Sequence, residues 1–233
     1  MQGCRIAETG WVCIANISWM YWYHWITLGS LGFCLINSSV YFLRLIRLGK
    51  PRDFSSPAGI VATSIQYSFI GAMNPLKKES AFLHLPTYIA GIIYHLGTFL
   101  SIVLFFLICA DVNFPDILIF PINSFLLLSF ACGTGMLIKR MVKKGLCDLS
   151  SPDDYISNLL VTIFQLMTGF VLGWHRLYPF YFLLSSLLLI YFPLGKLKHT
   201  IYFFAARYHL GFFYGWRGIW PPKKIKRDKR WKI

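Results

Sequence analysis

The stretch that decides the fold runs from 86 to 110, PTYIAGIIYHLGTFLSIVLFFLICA. It holds no Asp, Glu, Lys or Arg and exceeds the ~20 apolar residues that a helix needs to cross a bilayer. Working outward, stretches 22–43, 117–138, 155–173 and 177–195 have the same character. Together they predict an all-α membrane protein, a five-transmembrane-helix bundle that forms one integral membrane domain over 1–233. A further stretch, 60–76, is interrupted by Ser64, Gln66, Ser68, Gly71 and Asn74; it reads as a short amphipathic segment at the interface.

Composition points the same way. Of the 233 residues 56% are hydrophobic, 18% aromatic and 14% charged, and the mean hydropathy is +0.56. A soluble domain carries roughly 45–50% apolar and about 25% charged residues, so a soluble or disordered chain is excluded. The net charge of +14 is read as membrane topology and not as a nucleic-acid surface, because basic residues collect on the cytoplasmic side. With five spans and the N-terminus outside, every Lys and Arg except Arg5 and Arg176 falls on the inside, including those of a basic cytoplasmic tail over 196–233. A sixth span would break that pattern. The opening residues 1–10 lack the basic region, apolar core and small-residue cleavage site of a signal peptide, so the first apolar stretch is expected to stay in the chain. Trp19, Trp22, Trp25, Trp174 and Tyr178 fit an interfacial aromatic belt, and the Lys223–Lys232 run suits anionic lipid or a docked partner.

Little in the spans can carry chemistry. Acid-free spans argue against an ion-coupled transporter, and there is no nucleophile triad, carboxylate pair or phosphate loop to make a membrane-embedded transferase. The six cysteines, Cys4, Cys13, Cys34, Cys109, Cys132 and Cys147, have no metal-ligand spacing. Six histidines remain: His24, His84, His95, His175, His199 and His209. His95 lies inside the second span, where an imidazole is costly without a partner, and His199 lies just past the inner end of the fifth. Two histidines on facing helices can ligate a haem iron from opposite sides. Gly91 and Gly195 each precede one of them by four residues, which on a helix is the same face, leaving room for a porphyrin edge. Lys196, Lys198 and Arg207 lie near the same end and are candidates for the haem propionates. His84 and the outer pair His24 and His175 read as interfacial residues, and His209 as a surface or docking residue.

The segment Phe192-Pro193-Leu194-Gly195-Lys196-Leu197-Lys198-His199 resembles the end of the last helix in the gamma (cytochrome b) subunit of respiratory nitrate reductase. It is similar also to the membrane subunits of heterodisulfide reductases and of the complex associated with dissimilatory sulfite reductase, where the pattern is Pro-Phe-small-Lys/Arg-Leu-x-His. Ile93-Tyr94-His95-Leu96-Gly97 resembles the family's first ligand-bearing helix. The stretch 75–99 and the loop Ser151-Pro152-Asp153-Asp154-Tyr155 resemble its shorter members, and the likeness extends over about 41–222.

The resemblance implies a haem b-containing electron-transfer subunit of a respiratory oxidoreductase complex in the cytoplasmic membrane of a bacterium or archaeon. Electrons would pass between the quinone pool, menaquinone for example, and a cytoplasmic iron–sulfur partner subunit. His95 and His199 match the inner haem ligands. The outer ligands would fall at Phe105 and Tyr181, neither of which can serve, so one haem b is expected and the outer one not. Losing the outer haem puts a quinone site on that side in question. The alternative is a haem-free membrane anchor for a cytoplasmic redox subunit.

Overall fold

The computed structural model describes residues 21–49, 54–73 and 84–222, and all the regular structure among them is helical. The helices are α1 (Trp22–Leu48), α2 (Val61–Phe69), α3 (Leu85–Cys109), α4 (Asp116–Val142), α5 (Lys144–Cys147), α6 (Pro152–Gly173), α7 (Tyr178–Leu194) and α8 (His199–Trp216). Five segments are long and apolar enough to cross a membrane: α1, α3, α4, α6, and α7 with the short turn that precedes it. These are the five stretches expected from the sequence. The 60–76 segment yields only the nine-residue α2, too short to span, as expected. The Lys223–Lys232 run, Trp19, Cys4, Cys13 and Arg5 lie outside the described residues.

Local chemistry sets the helix ends. Pro86 opens α3 and Pro152 opens α6, positions where the missing N–H has no intrahelical partner to lose. Ser151 and Asp154 close a capping box at the start of α6, satisfying N–H groups that the first turn leaves free. At the far end of α3 the chain turns through Asp111 at φ 53°, while Asp111 and Val112 return their N–H groups to Ile108 and Leu107. This is a left-handed helix stop.

The spans pack in an open arc, α3 on α4, α4 on α6, α6 on α7 and α7 on α1, with α8 against α1 and α2 against α8. In hydrocarbon, helices associate through close packing and interhelical hydrogen bonds, and both are visible here. Gln165 of α6 is fully buried. Its amide donates to the Tyr94 carbonyl at 3.1 Å and to Thr98 Oγ1 at 2.7 Å, and its Oε1 accepts from Ser129 Oγ at 2.8 Å. One side chain thus ties α3, α4 and α6. Gly97 lets α3 and α4 approach, since a Cβ there would stand 2.0 Å from Ser129 Oγ. Across the arc, Thr27 donates to the Phe182 carbonyl at 3.1 Å and pairs with Ser186 Oγ at 2.9 Å, joining α1 to α7.

All four sets of helix ends that carry Arg44 and Arg47, Lys139 and Arg140, Lys143 and Lys144, or Lys196 and Lys198 lie at one end of the bundle, called here the basic end. The opposite end holds Arg176 with Asp111 and Asp116. The stretch read as a tail begins with an ordered helix. α8 starts anew after a break at Gly195 and docks on α2, where Ser64 and Ser68 face Gly215 and Gly211. The Ser68 hydroxyl donates to the Arg207 carbonyl at 2.8 Å, and a Cβ on Gly211 would stand 2.5 Å from the Ile65 backbone.

Replacing Gln165 by Leu removes three interhelical hydrogen bonds at similar volume. The variant is expected to lose about 1 kcal/mol of stability, up to ~1.7, the range of membrane hydrogen bonds. Thermal unfolding of the detergent-solubilised protein reads the change, and an unaltered midpoint would contradict it.

Candidate functional site

His95 is exposed on α3. It lies ten residues beyond Leu85, which at 1.5 Å per residue is ~15 Å into the helix, about half of a ~30 Å hydrocarbon core. No side chain among the described residues hydrogen-bonds its ring; the neighbouring Tyr94 ring lies 6.1 Å away. His199 is the first residue of α8 and is exposed too. Its Nδ1–H donates to the Lys196 carbonyl at 2.8 Å. That bond fixes the tautomer and leaves Nε2 bare. The two imidazoles lie within electrostatic reach of one another, although 104 positions separate them in sequence.

Between the edges of the arc runs a groove of about 630 Å³, its surface almost wholly apolar, lined by side chains of α1, α3, α7 and α8 with Phe69 of α2 and Phe164 of α6. Its walls include Ile102 and Phe106 of α3, which share the helix face of His95. On the other wall are Phe192 and Thr200, the latter next to His199. Neither histidine lines the groove itself: His199 adjoins it through Thr200, and His95 lies two turns before Ile102 on the same side of α3. The volume falls in the range of sites that take a drug-sized ligand.

An aromatic cluster packs the opposite half of the bundle and borders the groove through Phe105 and Phe164. Phe105 and Tyr181 meet there with ring centroids 6.4 Å apart, and Phe164 stacks on Tyr181 at 5.8 Å and 10°. Tyr181 is fully buried and Phe105 is 4% exposed. The two positions that the family resemblance assigns to outer ligands do come together, and packed rings fill the space between them.

The other candidates divide. Gly91 is in α3 and a Cβ there would meet nothing within 4 Å, so that side of the helix is open, as the spacing argument requires. Gly195 does not share a helix face with His199. α7 ends at Leu194, Gly195 is extended, and a Cβ on it would stand 2.3 Å from the Tyr191 ring. Its smallness serves the break beneath Tyr191 and not a ligand edge. Lys196 is not available to an anionic ligand, because its Nζ pairs with Asp154 Oδ1. Lys198 has no side-chain partner among the described residues. The Arg207 guanidinium lies over the Phe203 ring, 5.5 Å from its centroid. His209 is no surface residue: its Nε2–H donates to the Leu45 carbonyl at 3.0 Å, and a Cβ on Gly49 would stand 2.4 Å from its ring. It caps the C-terminus of α1, where a donor is favoured. The His24 ring packs at a tilt against Phe182, centroids 4.4 Å apart, and the His175 ring likewise against Tyr178 at 5.3 Å, both at the opposite end.

Two residues escaped the sequence reading. Asp154, read only as part of a family-like loop, accepts from Arg140 at 2.9 Å and from Lys196. Asp153 accepts the Tyr191 hydroxyl. The Ser-Pro-x-Asp capping signature could have flagged Asp154, but its cationic partners lie far off in sequence. Chemically, the arrangement offers two imidazoles without a third donor: no group of three or more His, Cys, Asp or Glu among the described residues could hold a metal ion. No family model, curated protein or solved structure matches the chain.

Tyr181→Ala should open a cavity in the aromatic cluster and cost roughly 3–5 kcal/mol. Denaturation of the purified protein in detergent measures it; a loss under ~1 kcal/mol would mean that the cluster is not a packed core.

Proposed function

We propose that this chain is a membrane electron-transfer subunit that holds one haem b between His95 and His199. The observation that carries the reading is a pair of imidazoles, 104 residues apart in sequence, that come within electrostatic reach of one another beside an apolar groove. An unpartnered imidazole within a span is expensive unless something takes its nitrogen. The bare Nε2 of His199, the open side of α3 at Gly91 and the groove volume all suit a flat, largely apolar ligand with a metal at its centre. The filled Phe105–Tyr181 position supports one haem and not two.

The bound haem would supply one-electron carriage, and the protein would supply ligation, burial and charge. His95 and His199 would hold the iron. Ile102, Phe106 and Phe192 would keep water from the apolar edge. Lys198, with Arg207 beyond it on α8, is placed for the propionates, while Lys196 is committed to Asp154. The basic end, with its many cations and few acids, supports a cytoplasmic face and docking of an iron–sulfur partner subunit there. That orientation puts the N-terminus of α1 outside and the end of α7 inside, in a bacterial or archaeal cytoplasmic membrane. Quinone exchange belongs to the same reading, on the cytoplasmic half where the haem would lie.

The test is a reduced-minus-oxidised spectrum of the purified protein with a haemochrome assay. The expected result is a b-type α-band and about one haem per chain by that assay, lost in His95→Ala and in His199→Ala. Full haem in both variants would remove the assignment, and a colourless wild-type protein that still binds a redox partner would favour the anchor reading. Orientation has its own measurement. Alkaline phosphatase fused after Val112 should be active and fused after Cys147 inactive; the reverse pattern would invert the topology.

A further inference from the structure

We infer that Asp154 is a positioning residue for His199 and acts through Lys196. The inference rests on the haem reading for what His199 Nε2 grips; its geometry does not. His199 follows a break between two helices. Gly195 is extended and Lys196–Lys198 form a single 3-10 turn, whose internal bond from Lys198 N to the Gly195 carbonyl is long at 3.4 Å. The His199 N–H also reaches the Leu197 and Lys196 carbonyls, and these bonds tie the turn to the start of α8 but not to the neighbouring helix α6. The turn carries the carbonyl that orients His199, since the Nδ1–H bond goes to Lys196 O at 2.8 Å.

What holds Lys196 is Asp154. The carboxylate is 7% exposed and its two oxygens divide the work. Oδ2 accepts from Ser151 N and Ser151 Oγ, both at 3.0 Å, which seats it in the helix cap. Oδ1 accepts from Arg140 at 2.9 Å and from Lys196. The Lys196 side chain is half-exposed, and without a fixed partner its flexible stem would spread over many rotamers. Next to it Asp153 holds the Tyr191 hydroxyl, and the Tyr191 ring covers Gly195. The start of α6 therefore grips the α7–α8 break on both sides of Gly195. One grip runs Asp154 to Lys196 to the His199 ring. A histidine that must present one nitrogen to a metal needs its other nitrogen held by an acceptor of fixed direction. Here that acceptor is a backbone carbonyl, and Asp154 is what fixes it.

The test uses the full chain, labelled with 15N at histidine, with His199→Gln to assign the resonance. Prepared without added haem, the wild-type protein should show His199 as the Nδ1–H tautomer. In Asp154→Asn that tautomer should fall from the dominant form to a minority. Lys196→Met keeps Asp154 and its helix cap, so it remains readable if the first variant folds poorly, and it should give the same fall. The double variant should go no further than either single one. Arg140→Gln removes the other cation on Asp154 without touching the turn and should leave the tautomer unchanged, which a general structural role of Asp154 would not predict. Retention of the Nδ1–H tautomer in Lys196→Met overturns the inference, as does its absence from the wild-type protein. Prepared with haem, Lys196→Met should keep the pigment but shift the low-spin electron paramagnetic resonance signal, and an identical signal would count against the inference. A wild-type protein that binds no haem overturns the functional reading instead, and the tautomer alone then decides.

Discussion

Inside a bilayer a polar side chain has no water to fall back on, so the fully buried Gln165 amide must find every partner on neighbouring helices. It finds them on Tyr94, Thr98 and Ser129, and the rest of the bundle follows from that joint. Three spans are drawn together at mid-depth, with Gly97 admitting the close approach. The face of α3 that meets Gln165 is thereby turned inward. The side about a quarter-turn round from it, with His95, Ile102 and Phe106, is turned toward the gap where α3 and α1 do not close the arc. The groove is thus a consequence of where the polar contacts are made. It remains open because none of its walls carries a partner for the other.

The two halves of the bundle solve the same packing problem differently. Toward the opposite end, Phe105, Phe164, Tyr181 and Phe182 fill the interior with interlocking rings. Toward the basic end polar side chains such as Tyr94 and Thr162 take the rings' place in the interior, and charge adds to the order. Asp153 and Asp154, at the start of α6, hold Tyr191, Lys196 and Arg140. His209 and the small residues of α2 and α8 hold the last helix down. The groove borders the ring cluster, since Phe105 and Phe164 form part of its wall.

Legibility in the sequence differed by the range of the interaction. The five spans were readable because each depends on its own ~20 apolar residues, and their edges moved by only a few residues where cations at helix ends reach out of the apolar layer. The short α2 was readable from its hydroxyls and amides. The same-face argument for Gly91 survived because α3 is continuous, and the one for Gly195 failed because Pro193 and Gly195 end α7 before His199 begins the next helix. Lys196 looked as free as Lys198, since nothing nearby in sequence announces that a carboxylate 42 residues earlier will claim it. His209 looked like a surface residue because its partner, the Leu45 carbonyl, belongs to the first span.

By itself, the amino-acid sequence determined that this protein is helical, has five segments long and apolar enough to cross a membrane, and keeps its cations out of them, because hydrophobicity and charge act residue by residue along the chain. Only the tertiary structure decided which histidines come within electrostatic reach of one another, which lysine is spoken for, and where the aromatic rings pack. Those outcomes depend on contacts between helices that are distant in sequence. They are set by where Gln165, Asp154 and the Phe105–Tyr181 rings find partners, and no local pattern encodes that.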